Sequence, residues 1–398
     1  MTSPTPPRPV HMSRERYSPG PELIERARTG RPTRTDGPAG TSAWLLTRHE
    51  DVRAVLGDAT RFSSAGGARQ EDAAPSGESR FVDAASFMVG QDPPEHTRLR
   101  RLLTPEFTMR RMRVLEPRVR AVVDDVLDRM QDAGPPVDLV SHFALPIPSL
   151  VICELLGVPY SDRELFQSLS SVQLRFSASQ DERTEAFLAL RTYMSDLVNR
   201  HRGAPGEDLI GMLIREHHED ITHDELVGIA LVLLIAGHET TANALGAGTA
   251  LLLEYPDQLA AIRDEPRRVD DAVEELLRFL TPVHSGLPRT VTADTVIGGQ
   301  EMAIGDLVVS SLPMANRDPD LVTAPDDFDT SRKPFPHMAF GHGIHHCVGA
   351  PLARMELRIA LPALVRRFPG LRLDLDPADI RFRGMTAVHG VERLPVAW

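Results

Sequence analysis

Lysine is almost absent from this sequence, since Lys333 is the single lysine among 44 basic residues. That scarcity excludes an ATP-binding P-loop, whose motif needs a lysine, and it leaves a pyridoxal Schiff base with one candidate position. Cysteine is also scarce: Cys153 and Cys347 lie far apart, and no CxxC occurs. A disulfide framework or a cysteine zinc site is therefore not expected. We predict that Cys153 is a buried core thiol, which leaves thiol chemistry to Cys347.

Long hydrophobic runs and a basic charge balance are missing too. The longest apolar stretch, residues 226–237, has 12 residues, whereas a helix needs about 20 to span a bilayer. Residues 1–20 are rich in Pro, Ser and Arg and lack the apolar run of a signal peptide. The formal net charge of −12 argues against a nucleic-acid partner. These features predict a cytoplasmic protein that binds no membrane, with a flexible tail over residues 1–20 and a single domain over residues 21–398.

One window departs from the acidic balance. Residues 96–120 contain eight arginines against Glu106 and Glu116: Arg98, Arg100, Arg101, Arg110, Arg111, Arg113, Arg118 and Arg120. Two interpretations stay open, a solvated helix face and a docking patch for an acidic partner.

The hydrophobic periodicity predicts a mainly α-helical fold with small β-sheets, of the α+β class. Residues 95–280 have mostly helical spacing, whereas residues 285–310 alternate and are rich in Val and Thr. One long helix begins at a capping box formed by Thr222 and Glu225 and runs to about residue 254, which gives a length of about 50 Å. Because this helix is apolar on nearly all sides over its first turns, we predict that it crosses the middle of the protein.

Residues 62–91 have no clear periodicity and are rich in Ala, Gly and Ser. This composition predicts a surface loop of the kind that often covers a ligand site.

The most informative motif is FGHGIHHCVG at residues 340–349, followed by a predicted helix to about residue 368. A sulfur near a helix N-terminus is stabilised as a thiolate by the helix dipole and by free N–H groups. The motif resembles the haem-binding loop of cytochrome P450 enzymes, with the expected residues Phe340, Gly341, Gly343, Cys347 and Gly349. The resemblance implies the cytochrome P450 fold and haem b, iron protoporphyrin IX, with Cys347 as the axial iron ligand. The alternative is a metal site of His342, His345, His346 and Cys347, although four ligands on one short loop cannot easily surround a zinc ion.

A second motif interrupts the apolar face of the long helix, where Glu239 and Thr240 would be costly to bury without partners. Thr240 can bond to the carbonyl of Ala236 four residues earlier, and Gly237 leaves space beside it. The motif is similar to the oxygen-binding groove of the same family, whose acid and threonine relay protons. The alternative, a zinc hydrolase motif HExxH, needs a histidine where Ala242 stands.

Further residues are implied by the order of the motifs in the family. Glu275 and Arg278 match a structural ExxR pair that contacts a later loop at residues 316–319 and Arg332. Four residues match donors to the haem propionates: His96, Arg100, Arg289 and His337. By family position the resemblance also implies substrate contacts at Leu233, Val283, Leu287 and Thr386.

Together these matches imply a haem-thiolate monooxygenase that inserts one oxygen atom from O2 into a hydrophobic small molecule, by hydroxylation or epoxidation, in secondary metabolism. The chain has no GxGxxG motif after a predicted strand. We therefore expect electrons to come from a ferredoxin and its NAD(P)H-dependent reductase. The alternative from another class, a haem-thiolate gas or redox sensor, would not need Glu239 and Thr240 inside an apolar helix.

Overall fold

The computed structural model describes residues 9–36, 41–65 and 88–398. Within these ranges the chain forms 13 α-helices and 12 short strands, so the predicted mainly helical fold with small sheets is confirmed. The helices are α1 Pro21–Ala27, α2 His49–Gly57, α3 Glu95–Leu103, α4 Met109–Ala133, α5 Pro146–Leu156, α6 Arg163–Leu174, α7 Gln180–Gly203, α8 Leu209–His217, α9 His223–Leu253, α10 Pro256–Asp264, α11 Val269–Leu280, α12 Leu312–Ala315 and α13 Ala350–Arg367. The strands are β1 Arg14–Glu15, β2 Ser18–Pro19, β3 Thr33–Asp36, β4 Ser42–Leu46, β5 Phe62–Ser63, β6 Val137–Asp138, β7 Leu287–Val291, β8 Thr295–Ile297, β9 Gln300–Met302, β10 Leu307–Ser310, β11 Arg372–Leu373 and β12 Pro395–Ala397.

Helix α9 is the predicted long helix, and it lies in the centre of the protein. The Thr222 hydroxyl accepts a hydrogen bond from the N–H of Glu225, while the Glu225 carboxylate accepts one from the N–H of Thr222. This capping box satisfies two N–H groups that the first helical turn leaves without partners. Among the described helices, α9 alone is long and apolar enough to cross a bilayer, but 67% of its most apolar window is buried by the rest of the chain. Helix α9 is therefore a core helix.

The largest sheet joins distant parts of the chain. Its strand order is β3-β4-β10-β7-β5, and β4 pairs with β10 in parallel while the other neighbours are antiparallel. Strands β8 and β9 form a separate hairpin closed by Gly298 and Gly299, both with positive φ (54° and 75°). Glycine suits such a turn because a Cβ disfavours positive φ.

The sequence predicts two loose segments, residues 1–20 and residues 62–91, and the structure describes only parts of them. Of the tail predicted for residues 1–20, residues 1–8 lie outside the described residues. Residues 9–20 are folded, because Met12 and Tyr17 are buried and Arg14 donates hydrogen bonds to the carbonyls of Leu280 (3.0 Å) and Thr281 (2.8 Å). The prediction of a loose tail is thus wrong for residues 9–20. Of the loop predicted for residues 62–91, residues 66–87 lie outside the described residues.

Candidate active site

The loop before α13 is shaped by two glycines in the left-handed region. Gly341 and Gly343 have φ values of +71° and +72°, and the N–H of Cys347 donates to the carbonyl of Phe340 at 2.9 Å. A Cβ on Gly343 would collide with the carbonyl oxygen of Leu56 at the end of α2. Gly343 is therefore required by the packing of the loop against α2.

The sulfur of Cys347 lies two residues before the N-cap of α13. The Cys347 side chain is exposed. Burial raises the pKa of the Cys347 thiol, while the N–H groups of Gly349 and Ala350 and the charge of Arg100 act in the opposite direction. These donors and this cation would stabilise a thiolate that binds a metal ion.

A group of cationic and imidazole side chains lies beside this loop. Its members are His96 and Arg100 on α3, Arg289 on β7 and His345 in the loop. The rings of His96 and His345 lie 4.2 Å apart between centroids. Burial, together with the charges of Arg289 and His96, lowers the pKa of His345 to about 3, and burial lowers the pKa of Arg289 to about 10.

The polar atoms of this group have few anionic partners inside the protein. Both ring nitrogens of His96 are buried without a hydrogen bond, and in the described part of the chain neither Arg100 nor Arg289 has an ion-pair partner. Asp92, the nearest acidic residue, is bonded to the hydroxyl of Ser63 and to the N–H of Ser64 (2.8 Å). A group of donors that is partly buried and has no carboxylate of its own fits a dianionic ligand.

His337 does not belong to this group, which corrects the sequence prediction. Its Nε2 lies 3.2 Å from Oε2 of Glu274, and its Nδ1 accepts a bond from the N–H of Ala339 at 3.2 Å. Burial would raise the pKa of Glu274, but hydrogen bonds from His337 and Arg354 lower it to about 2. Both nitrogens of His337 are therefore used within the protein. His345 lies beside His96 instead, with its Nε2 2.9 Å from Oγ of Ser64.

The metal site of three histidines and Cys347 finds no support. Among the residues that the structure describes, no three His, Cys, Asp or Glu side chains converge as metal ligands would. The His345 ring faces His96, and the His346 ring lies 6.3 Å from the ring of Phe340.

Helix α9 is buried along most of its length but presents one open stripe. Val232, Ala236 and Thr240 are partly or fully exposed and follow one another at intervals of four residues, so they lie on one face. The hydroxyl of Thr240 donates to the carbonyl of Ala236 at 2.8 Å. A Cβ at Gly237 would lie 3.1 Å from Cδ1 of Ile152. Gly237 thus accommodates α5, whereas Ala236 is the residue that opens the stripe.

Glu239 points away from that stripe into a salt bridge that the sequence did not reveal. Its Oε2 lies 2.9 Å from Nη1 of Arg383 and 3.3 Å from Nδ2 of Asn243, and the Glu239 side chain is only 4% exposed. Glu239 and Arg383 both line a cavity of about 390 Å³ between the end of α6 and residues 383–388. Arg383 follows Glu239 by 144 positions in a segment without a clear pattern, so no sequence signal connects the two residues.

The four predicted substrate contacts are distributed over the walls around α9. Thr386 lines the 390 Å³ cavity. Val283 is half-buried and pairs with Val388, Leu233 is buried in the main core, and Leu287 is half-buried in β7. A Cβ on Gly341 would lie 3.5 Å from Leu287, so this residue borders the cysteine loop.

Glu275 and Arg278 form a buried ion pair on α11, with Nε–Oε2 and Nη2–Oε1 distances of 2.7 and 2.8 Å. Arg278 also donates to the carbonyls of Asn316 (3.1 Å) and Pro325 (2.8 Å), and Arg332 lies 3.2 Å from Glu275. The pair therefore joins α11 to the segment before the cysteine loop.

The residues present fit a haem. The sulfur of Cys347, with donors that stabilise a thiolate, lies next to a cationic group that has no carboxylate partners in the described chain. Two haem propionates would supply those partners, and α9 presents an open stripe beside them. The fold and the site together define the haem-thiolate class of proteins, which carry iron on a cysteine sulfur.

Comparisons identify the family within that class. The family model for cytochrome P450 matches residues 200–379. Cytochrome P450-SU2 of Streptomyces griseolus is 44% identical over 382 residues, which cover 96% of this chain and 94% of that protein. Nocardicin C N-oxygenase of Nocardia uniformis subsp. tsuyamanensis is 44% identical over 365 residues, or 91% of each chain. The solved structure of P450 StaH from glycopeptide antibiotic A47934 biosynthesis has a TM-score of 0.88 at 42% identity and covers 98% of this chain and 100% of that chain.

The chain belongs to the cytochrome P450 family, and it is an enzyme of the monooxygenase type. The family implies a haem-iron cofactor, O2, a redox partner and a small-molecule substrate.

Proposed function

We propose that this protein is a single-domain cytoplasmic monooxygenase that uses haem b to insert one oxygen atom from O2 into a hydrophobic small molecule of secondary metabolism. The observation that carries the proposal is the pairing of a cysteine loop with four donors that lack carboxylate partners, His96, Arg100, Arg289 and His345, in the described chain. These residues would hold the two propionates while Cys347 binds the iron. When bound there, the haem would supply the chemistry of reductive O2 activation.

The roles of the α9 residues follow from their geometry. Because the hydroxyl proton of Thr240 is directed to Ala236, its oxygen presents lone pairs to the open stripe and can accept a proton there. Glu239 would supply that proton from the other side of the helix. Ala236 leaves the stripe open beside Thr240, because its side chain is small.

The substrate would lie over the stripe and against Leu233, Val283, Leu287 and Thr386. Three of these side chains are apolar, and Thr386 already donates its hydroxyl hydrogen to the carbonyl of Val388 at 2.6 Å. A site with this lining favours a hydrophobic molecule such as a polyketide or terpenoid, held by few polar contacts. Hydroxylation and epoxidation are both compatible with it.

Electrons would come from a ferredoxin reduced by an NAD(P)H-dependent reductase. The Arg-rich stretch divides into two sets, because Arg98, Arg111, Arg118 and Arg120 are paired with carboxylates. In the described chain Arg101, Arg110 and Arg113 have no ion pair, and exposed Met109 and Val114 lie among them. An apolar centre with basic neighbours suits an acidic protein partner.

The docking proposal is tested with Arg110→Glu and Arg113→Glu, and with Arg372→Glu on β11 as a control of equal charge. We expect the KM for ferredoxin to rise by roughly tenfold at low salt for the first two variants and to stay unchanged for the control. If the KM for ferredoxin changes neither in these two variants nor with ionic strength, this docking face is refuted.

The reaction class is tested first by the ferrous carbonyl spectrum of the purified protein. A Soret band typical of thiolate ligation is expected, and a band typical of a neutral nitrogen ligand would refute the proposal. The Thr240→Ala variant should keep this spectrum and release peroxide in place of product, whereas a haem sensor would not be affected.

A further inference from the structure

Glu239 and Thr240 are neighbours in sequence but face different environments. Consecutive side chains of a helix diverge by about 100°, so they do not meet each other. Thr240 lies on the open stripe of α9, whereas Glu239 lines the polar cavity next to Arg383. A carboxylate that is 4% exposed needs a counterion, because a buried unpaired charge is costly.

That counterion is fixed by an element other than α9. Arg383 lies on the C-terminal hairpin, residues 382–391, in which Phe382 pairs with Val391 and the N–H of Arg383 donates to the carbonyl of Gly390 at 2.8 Å. The tip of this hairpin is bonded to the end of α6, since the N–H of Phe176 donates to the carbonyl of Met385 at 2.8 Å. The backbone of Arg383 is thus held independently of Glu239, and its guanidinium reaches the Glu239 carboxylate from a second element.

The second strand of the hairpin reaches the same place. A Cβ on Gly390 would collide with the side chain of Asn243, the other residue bonded to the Glu239 carboxylate. The hairpin therefore supplies Arg383 to the Glu239 carboxylate and packs against Asn243, while Nε2 of the buried His238 lies 3.9 Å from Oε1 of Glu239.

We propose that Arg383 is a positioning residue, which fixes the carboxylate of Glu239 at the inner wall of the cavity. The carboxylate of Glu239 takes up one proton from a cavity water, which regains it from bulk solvent. Glu239 then gives one proton up toward the side of Thr240 and is again ionised against the guanidinium. This inference rests on the role proposed above for Glu239. Loss of Arg383 removes the counterion and lets the carboxylate leave this position.

The kinetic test uses the holoenzyme with a [2Fe–2S] ferredoxin and its reductase, and it follows NADPH oxidation without any organic substrate, in H2O and in D2O. Glu239→Gln should slow the reaction by about 100-fold, and Arg383→Gln by at least about tenfold with a larger solvent isotope effect. Arg383→Lys keeps the charge and should restore the rate to within about threefold of the natural protein. Arg381→Gln is the matched control, because Arg381 is exposed on the same strand and has no ion pair among the described residues.

The double variant Glu239→Gln/Arg383→Gln should be no slower than Glu239→Gln alone. If the two effects multiply, or if Arg383→Gln keeps the natural rate and isotope effect, the inference is refuted. If Glu239→Gln itself has no effect, the role proposed for Glu239 fails, and this result is distinct from a failure of Arg383 alone.

A measurement without turnover tests the pairing itself. The thermal midpoint of the ferric protein should fall by about 4 °C in Arg383→Gln and recover by about half in the double variant, because the unpaired buried carboxylate is then gone. An equal or larger fall in the double variant would refute the pairing. If Arg383→Gln does not bind haem, the same comparisons are made with Arg383→Met, which also removes the charge and keeps most of the side-chain volume.

Discussion

A buried acid on α13 makes the stability of this protein depend on pH in a calculable way. Glu356 is 2% exposed, one of its carboxylate oxygens has no hydrogen-bond partner, and no ion pair involves it in the described chain. Burial raises the pKa of Glu356 from 4.5 to about 8. The folded protein therefore holds a proton on Glu356 over a pH range in which the unfolded chain has already released it.

The sign and the size of the effect follow from this difference. The contribution to stability is fully present below about pH 4.5 and is lost as the pH rises toward 8, because unfolding then releases the proton. A difference of this size corresponds to at most about 5 kcal/mol. For a chain of 398 residues that is a shift of about 3–5 °C in the thermal midpoint.

The variant Glu356→Gln has the shape of the protonated acid but cannot ionise. Its thermal midpoint, followed by circular dichroism at one scan rate, should match the natural protein at pH 5 and exceed it by about 3–5 °C at pH 8. Glu301→Gln, at an exposed carboxylate of β9, is the control and should show no such dependence. A difference between Glu356→Gln and the natural protein that stays constant from pH 5 to pH 8 would refute the reasoning.

Three further predictions concern the site. Arg278→Lys loses the bidentate pair and several carbonyl contacts, so the free energy of unfolding should fall by about 3–5 kcal/mol. The thermal midpoint should then be lower by about 4–6 °C, and an unchanged midpoint would disprove this. Gly343→Ala should lower the ratio of Soret to protein absorbance at least about twofold, because it adds a collision with α2 to the strain of positive φ; Gly299→Ala adds only the strain and should leave the ratio unchanged. His345→Ala should release haem to apomyoglobin about tenfold faster than the natural protein, whereas His337→Ala should release it at the natural rate. The reverse order of the two variants would mean that the sequence prediction of His337 was correct.

Much of the fold could be predicted because its signals are local. The capping box of Thr222 and Glu225 and the apolar run after it define where α9 begins and why it is buried. The glycines around Cys347 and the spacing of Glu275 and Arg278 are likewise visible within a few residues. In each of these cases neighbours in sequence are also neighbours in space.

The errors concern contacts between distant segments. Three histidines of the loop lie within five residues of Cys347. Only the packing of α3 shows that His345 is the one that contacts His96. His337 is used instead by Glu274 on α11. Residues 9–20 have the composition of a loose segment, but Arg14 binds carbonyl groups at the end of α11. No pattern in residues 9–20 predicts these contacts.

The parallel pairing of β4 with β10 has a consequence for how the chain comes to be folded in a cell. Leu45 lies opposite Val309, 264 positions later. A ribosome adding about 5–20 residues per second needs roughly 15 to 50 s to make that partner. During this delay the inner edge of the β3–β4 hairpin has free N–H and C=O groups that other chains can pair with. Synthesis fast enough to shorten this delay, or a chaperone that covers the edge, should therefore improve the yield of soluble protein.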